Sequence, residues 1–77
     1  MKIKVIYLAK ICEDIGKSEE IIELLGSESK IKDIYLKLEL GNLNYKIYAA
    51  KNLEHANFES SINDNDEIAF FPTITGG

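Results

Sequence analysis

Few side chains in this 77-residue chain are of the kinds that make or break bonds. Cys12 and His55 are its lone thiol and lone imidazole, and no third group in the sequence is marked to orient them. Nucleophilic catalysis through the pair is therefore not expected. Cys12 suits core filling on a short helix, and His55 reads as a loop residue. Asp64, Asp66 and Glu67 lack the loop length and ligand order of a calcium-binding hand, so they read as a turn. Glu13-Asp14 and Glu19-Glu20 are explained by solvated faces. No glycine-rich phosphate loop is present. What remains is the backbone itself, where the sequence closes on Thr75-Gly76-Gly77. Two glycines have no Cβ, can enter a slot too narrow for other residues, and leave a terminal carboxylate unshielded. From average glycine usage, such an ending arises by chance in about one chain in 200. A carboxylate is a poor electrophile until one oxygen becomes a good leaving group, so chemistry here requires activation by another protein.

The preceding residues must deliver that end. Glu67-Ile68-Ala69-Phe70-Phe71 reads as a strand that Pro72 terminates. Alternation sets Ile68 and Phe70 toward a core and Ala69 and Phe71 on the opposite face. In the first strand, residues 2–8, Ile3, Val5 and Tyr7 face the core by the same rule, and Leu8 falls in the outward set. Phe71 and Leu8, outside the core and next to the chain end, suggest a partner surface. Thr73-Ile74-Thr75-Gly76-Gly77 is expected to be a flexible tail, and its five residues span about 17 Å when extended.

Between these strands the pattern predicts a short helix over 9–15 ended by Gly16, and a second strand over 19–25 pairing back on the first. The main helix is predicted over 30–40, with Ile31, Ile34, Tyr35 and Leu38 as its apolar stripe. Ser29 is the expected cap, and Gly41 the expected left-handed end. A short strand over 45–50, a turn at Lys51-Asn52 and an irregular stretch over 53–62 anchored by Phe58 and Ile62 follow. Asn63-Asp64-Asn65-Asp66 is a turn signal. The expected fold class is α+β, with one main helix packed on a mixed sheet in a single domain over 1–77.

Composition narrows the function. Hydrophobic residues make up 45% and charged residues 29%, as in an ordinary folded domain. With one cysteine no internal disulfide forms, which fits a reducing cytoplasm. The opening strand is too short to span a bilayer and lacks a cleavage site, so neither a membrane segment nor a signal peptide is expected. All nine basic residues are lysines, dispersed along a chain of net charge −4. Without arginine forks or a basic stripe, nucleic-acid binding is not expected.

The ending Asp66-Glu67-Ile68-Ala69-Phe70-Phe71-Pro72-Thr73-Ile74-Thr75-Gly76-Gly77 resembles that of the small subunit of molybdopterin synthase, in the ubiquitin-like β-grasp family of sulfur carriers. Tyr7-Leu8-Ala9, the helix over 10–15 with Gly16, and Ala49-Ala50-Lys51-Asn52 resemble the same family. The likeness spans almost the whole chain, and its most specific part is the last dozen residues. The chain departs from the family pattern at Lys51, where Val is usual, at Asn65 in place of a turn glycine, and at Thr73, where a second proline is common.

The resemblance implies a β-grasp fold of four to five strands and a carrier without activity of its own or a bound cofactor. A ubiquitin-activating-type adenylyltransferase would use ATP and magnesium to convert the Gly77 carboxylate into an acyl-adenylate. A sulfur donor protein would then yield a thiocarboxylate. That sulfur would pass to cyclic pyranopterin monophosphate in the synthase large subunit, the family suggesting a heterotetramer. In this scheme Gly77 reacts, Gly76 and Thr75 give access, and Phe71, Leu8, Pro72 and Ile74 bind the partner. The rival readings are the thiamine-thiazole sulfur carrier, a ubiquitin-like protein modifier, and a plain binding module. The Phe-Phe-Pro ending and the helix between the first two strands favour the molybdopterin branch.

Overall fold

The computed structural model describes residues 1–72. In β1 (Lys2–Tyr7), alternate residues Ile3, Val5 and Tyr7 are buried, as the period-two pattern requires. Ala9 then takes a φ of 51°, a left-handed step that redirects the chain into α1 (Ala9–Ile15). Gly16 ends that helix at φ 89°, where a side chain would be strained, and its N–H donates to the Cys12 carbonyl at 2.9 Å. β2 (Glu19–Glu23) returns antiparallel to β1, setting Ile3 opposite Ile22 and Ile6 opposite Glu19.

α2 (Ile31–Lys37) is shorter than predicted and is capped differently. Lys30, not Ser29, is the N-cap, and the Asp33 carboxylate accepts from the backbone N–H groups of both, at 3.0 Å each. The next two orphan donors are met by a remote loop: Ile31 N–H donates to the Ser60 carbonyl and Lys32 N–H to that of Phe58. Short-range capping rules do not foresee this partner. The helix also stops early because Glu39, not Gly41, adopts the left-handed conformation, with φ 55°. That step begins a single 3-10 turn, Leu40–Asn42, and carries Leu40 into the core with no exposed surface. Burying a leucine contributes about 1.5–3 kcal/mol. The gain offsets a left-handed non-glycine residue, which costs roughly 1–3 kcal/mol.

β3 (Ile47–Lys51) and β4 (Glu54–Ala56) form a hairpin whose central residues, Asn52 and Leu53, both have positive φ. Two such residues fit a type I′ turn, and Leu53 in place of the usual glycine hid it. The stretch expected to be irregular thus contains a fifth strand, and His55 lies in it rather than in a loop. β5 (Glu67–Pro72) pairs parallel with β1 and antiparallel with β3. Asn65, at φ 70°, supplies the predicted turn before it. Pro72 is the strand's last residue, opposite Ile47, rather than lying beyond it. Leu8 N–H donates to the Phe70 carbonyl, so Pro72 faces a sheet margin that β1 has already left, and its missing donor costs no ladder bond.

The mixed sheet runs β2-β1-β5-β3-β4. Its core joins Ile3, Val5, Tyr7, Ile68 and Phe70 from the central strands to Ile11, Ile31, Ile34, Leu40 and Ile62. Ile47 and Ala49 fix the buried face of β3. Lys51, next on that face, escapes by extending its Nζ to the Ser61 carbonyl at 3.0 Å.

Candidate functional site

β5 carries the chain toward its last residues, so the site is built around the end of that strand. Ile68 and Phe70 fill the core, which obliges Phe71 to stand on the sheet's outer face. Its neighbours there follow from register. Tyr48 pairs with Phe71 across β3, and their ring centroids are 6.0 Å apart. His55 on β4 closes a triangle, 5.9 Å from each of the other two rings. The β1–β5 register, continued one residue past Tyr7–Phe70, brings Leu8 alongside Phe71, and Leu8 is 44% exposed. Lys46 holds its Nζ 5.5 Å from the Tyr48 ring centroid, a cation over an aromatic face. Along the β3–β4 side runs a groove of about 320 Å³, lined by Ile47, Tyr48, His55, Ala56 and Phe58 among others.

Phe71 thus stands on the outer face, as alternation requires, and is half-buried there between two rings. Pro72 is half-buried at the strand end. Tyr48 and His55 were not anticipated as part of this surface. Alternation from Ala49 would have placed Tyr48 outward, but Lys51 obscured the buried face of β3. His55 could not be placed without β4. Ile74, Thr75, Gly76 and Gly77 lie outside the described residues, so the tail and the reactive position rest on sequence.

Far from this end, the polar candidates serve the fold. Cys12 packs against the core from α1, on the helix side of the sheet, whereas His55 stands on the outer face, so the two do not form a pair. Glu20 accepts from the Tyr7 hydroxyl and, at 3.2 Å, from Lys17 Nζ. The Tyr7 hydrogen bond, helped by Lys17, holds the Glu20 carboxyl below the usual carboxylate range, and burial pushes the Tyr7 phenol well above its ordinary value. Asp14 accepts from Tyr45 Oη at 2.6 Å, which lowers its pKa, while Tyr45 is pushed up to about 12, by desolvation first and by Asp14 second. The 63–66 turn is tied by its own carboxylates. Asp64 Oδ1 accepts from Lys2 N–H at 2.7 Å, and Asp66 accepts from Asn63 N–H at 2.7 Å and Asn52 Nδ2 at 3.0 Å. These oxygens hold backbone and turn donors, as expected of a turn. No helix among the described residues is long and apolar enough to cross a membrane.

A mixed sheet of this order, with its helices on one face and an aromatic outer end beside the departing chain, defines a ubiquitin-like β-grasp protein. Solved structures agree on the fold. A putative molybdopterin converting factor, subunit 1, from Pyrococcus furiosus superposes with a TM-score of 0.82 at 22% identity, over 96% of this chain and 99% of that one. The small archaeal modifier protein 1 of H. volcanii does so with a TM-score of 0.80 at 19% identity, over 95% and 98%. In sequence, residues 5–77 match the model of the ThiS family. The molybdopterin synthase sulfur carrier subunit of Dictyostelium discoideum is 35% identical over 83 residues, covering 96% of this chain and 94% of that protein. The chain belongs to the ThiS family, among the relatives of that sulfur carrier subunit.

Proposed function

We propose that this chain is the sulfur-carrying small subunit of a molybdopterin synthase, with the Gly77 carboxylate as its working group. The observation that carries the reading is the 35% identity to a sulfur carrier subunit across nearly the full length of both proteins. The aromatic end of the sheet supports it, because a carrier needs a rigid docking surface beside the segment it presents. In this reading a ubiquitin-activating-type adenylyltransferase consumes ATP with magnesium. The Gly77 carboxylate attacks the α-phosphorus, pyrophosphate leaves, and an acyl-adenylate results. The terminal sulfur of a donor persulfide attacks the acyl carbon and AMP leaves, and a thiol then reduces the resulting acyl disulfide, releasing the thiocarboxylate and the donor in a mixed disulfide. Gly76 and Thr75 allow the end to enter the synthase large subunit, where the sulfur passes to cyclic pyranopterin monophosphate. Phe71, Leu8, Pro72 and Ile74 hold the large subunit meanwhile. The cycle belongs to the cytoplasm, where ATP and activating enzymes of this type are found together.

The test is to incubate the protein with the activating enzyme, magnesium-ATP and a sulfur source, and to weigh it intact. The expected result is the mass gain of one oxygen-to-sulfur exchange, absent from a variant lacking Gly77. The same gain in that variant would sink the assignment. A second reading, a modifier joined to lysines of target proteins, draws on the fold shared with the archaeal modifier protein. Isopeptide-linked adducts ending in Gly77 would favour it. Co-purification with a thiazole synthase in place of a synthase large subunit would move the chain to the thiamine branch.

A further inference from the structure

The sheet has two open edges, and β2, with five residues, is longer than the three-residue β4. Tyr7 N–H donates to the Ser18 carbonyl and Leu24 N–H to that of Met1, so the even-numbered residues of this segment turn their backbone groups toward β1. Glu19, Ile21 and Glu23 therefore turn theirs away from the sheet, and no backbone partner meets them among the described residues. The same three side chains stand on the outer face. Ile21 is 66% exposed, an unusual value for an isoleucine in a strand. Lys4 lies 3.5 Å from Glu19 Oε2 and the N-terminal amine 3.1 Å from Glu23 Oε2, which leaves each Oε1 without a hydrogen-bond partner among the described residues.

We propose that this edge accepts an extended segment of a partner protein as a sixth strand, with basic residues opposite Glu19 and Glu23 and an apolar residue opposite Ile21. The edge has no lysine, proline or bulge, and its guard is the charge of its glutamates, which repels like-charged strands. Its charges select what pairs. Antiparallel pairing with a second copy that uses all three outward residues centres on Ile21, setting Glu19 against Glu23 of the other copy twice over. Like charges directly opposite one another disfavour that arrangement. A basic–x–apolar–x–basic strand reverses the sign at both ends and keeps the apolar contact in the middle. Main-chain bonds then give affinity and the alternate side chains give selectivity.

The experiment titrates the isotopically labelled full chain with the peptide acetyl-Thr-Lys-Thr-Val-Thr-Lys-Thr-amide up to millimolar concentration and reads amide shifts and hydrogen exchange. Exchange is expected to slow at Glu19, Ile21 and Glu23, while Glu20 and Ile22, already bonded to β1, change little. The charge-reversed double variant Glu19→Lys with Glu23→Lys should bind the peptide at least about fivefold more weakly and prefer one carrying Glu in place of Lys. Ile21→Pro removes only an outward N–H, so it should keep the β1 ladder and lose the peptide. Sedimentation should find the wild-type chain monomeric and Glu19→Lys more prone to dimerise, because that change sets a cation opposite Glu23 of the other copy. The proposal is overturned by shifts centred on Phe71 and Tyr48, by equal binding of the Lys and Glu peptides, or by no response. A wild-type dimer protected at the same three amides would give the edge to a second copy and overturn it too.

Discussion

Phe70 and Phe71 are adjacent, chemically identical, and committed to opposite sides of one strand. Phe70 has no exposed surface and meets Phe58 edge-on at 6.4 Å, in the layer between sheet and helices. Phe71 stands on the outer face, half-covered by Tyr48 and His55 and open on its remaining side. The pleat imposes this division, and neither residue can change sides without shifting the register of β5 against both β1 and β3. One phenylalanine therefore holds the domain together while the next remains available to a partner.

That contrast can be broken most directly at Phe70. Phe70→Ala should cost about 3–5 kcal/mol through lost burial and the cavity left behind, a large share of the roughly 5–15 kcal/mol typical of a domain. Urea denaturation would measure it, and a loss under 1 kcal/mol (order of magnitude) would contradict the packing described here. Phe71→Ala should cost at most about 1.5 kcal/mol of stability, the worth of its aromatic contacts. By calorimetry its affinity for a synthase large subunit should nevertheless fall about tenfold or more. An unchanged affinity would remove Phe71 from the docking surface.

At the rim of the core, Tyr7→Phe deletes the hydroxyl that Glu20 accepts from and should cost about 1 kcal/mol at neutral pH. Because that bond depresses the Glu20 carboxyl, its contribution is present above the ordinary carboxylate range and is lost as pH falls through the folded-state value. The gap between wild type and variant should therefore narrow on acidification. A gap that stays constant into strong acid would show that the bond does not depend on the charge of Glu20. The smallest effect on the fold is expected at Leu8, already 44% exposed. Leu8→Ala should leave stability within about 0.5 kcal/mol yet weaken the same partner, which thermal melting and binding measured side by side would check.

Much of the architecture was legible in advance, because period-two and helical patterns are local properties of the chain. The faces of β1 and β5, the extent of α1, the left-handed Gly16 and the Asn65 turn all followed from such patterns. Where long-range partners compete with local preference, the sequence was silent or misleading. Ser29 and Gly41 were reasonable helix boundaries, but the loop carrying Phe58 and Ser60 and the burial of Leu40 drew those boundaries elsewhere. β4 was invisible because its turn contains Leu53 where a glycine would have announced it, and His55 was misplaced with it. By itself the sequence determined which residues alternate, which family the chain resembles, and that the reactive position proposed is Gly77. The tertiary structure alone decided that Tyr48, His55 and Phe71 share one surface, and that Glu19, Ile21 and Glu23 present their backbones to solvent. Such groupings depend on strand order and register, which arise from contacts between segments that no local pattern specifies.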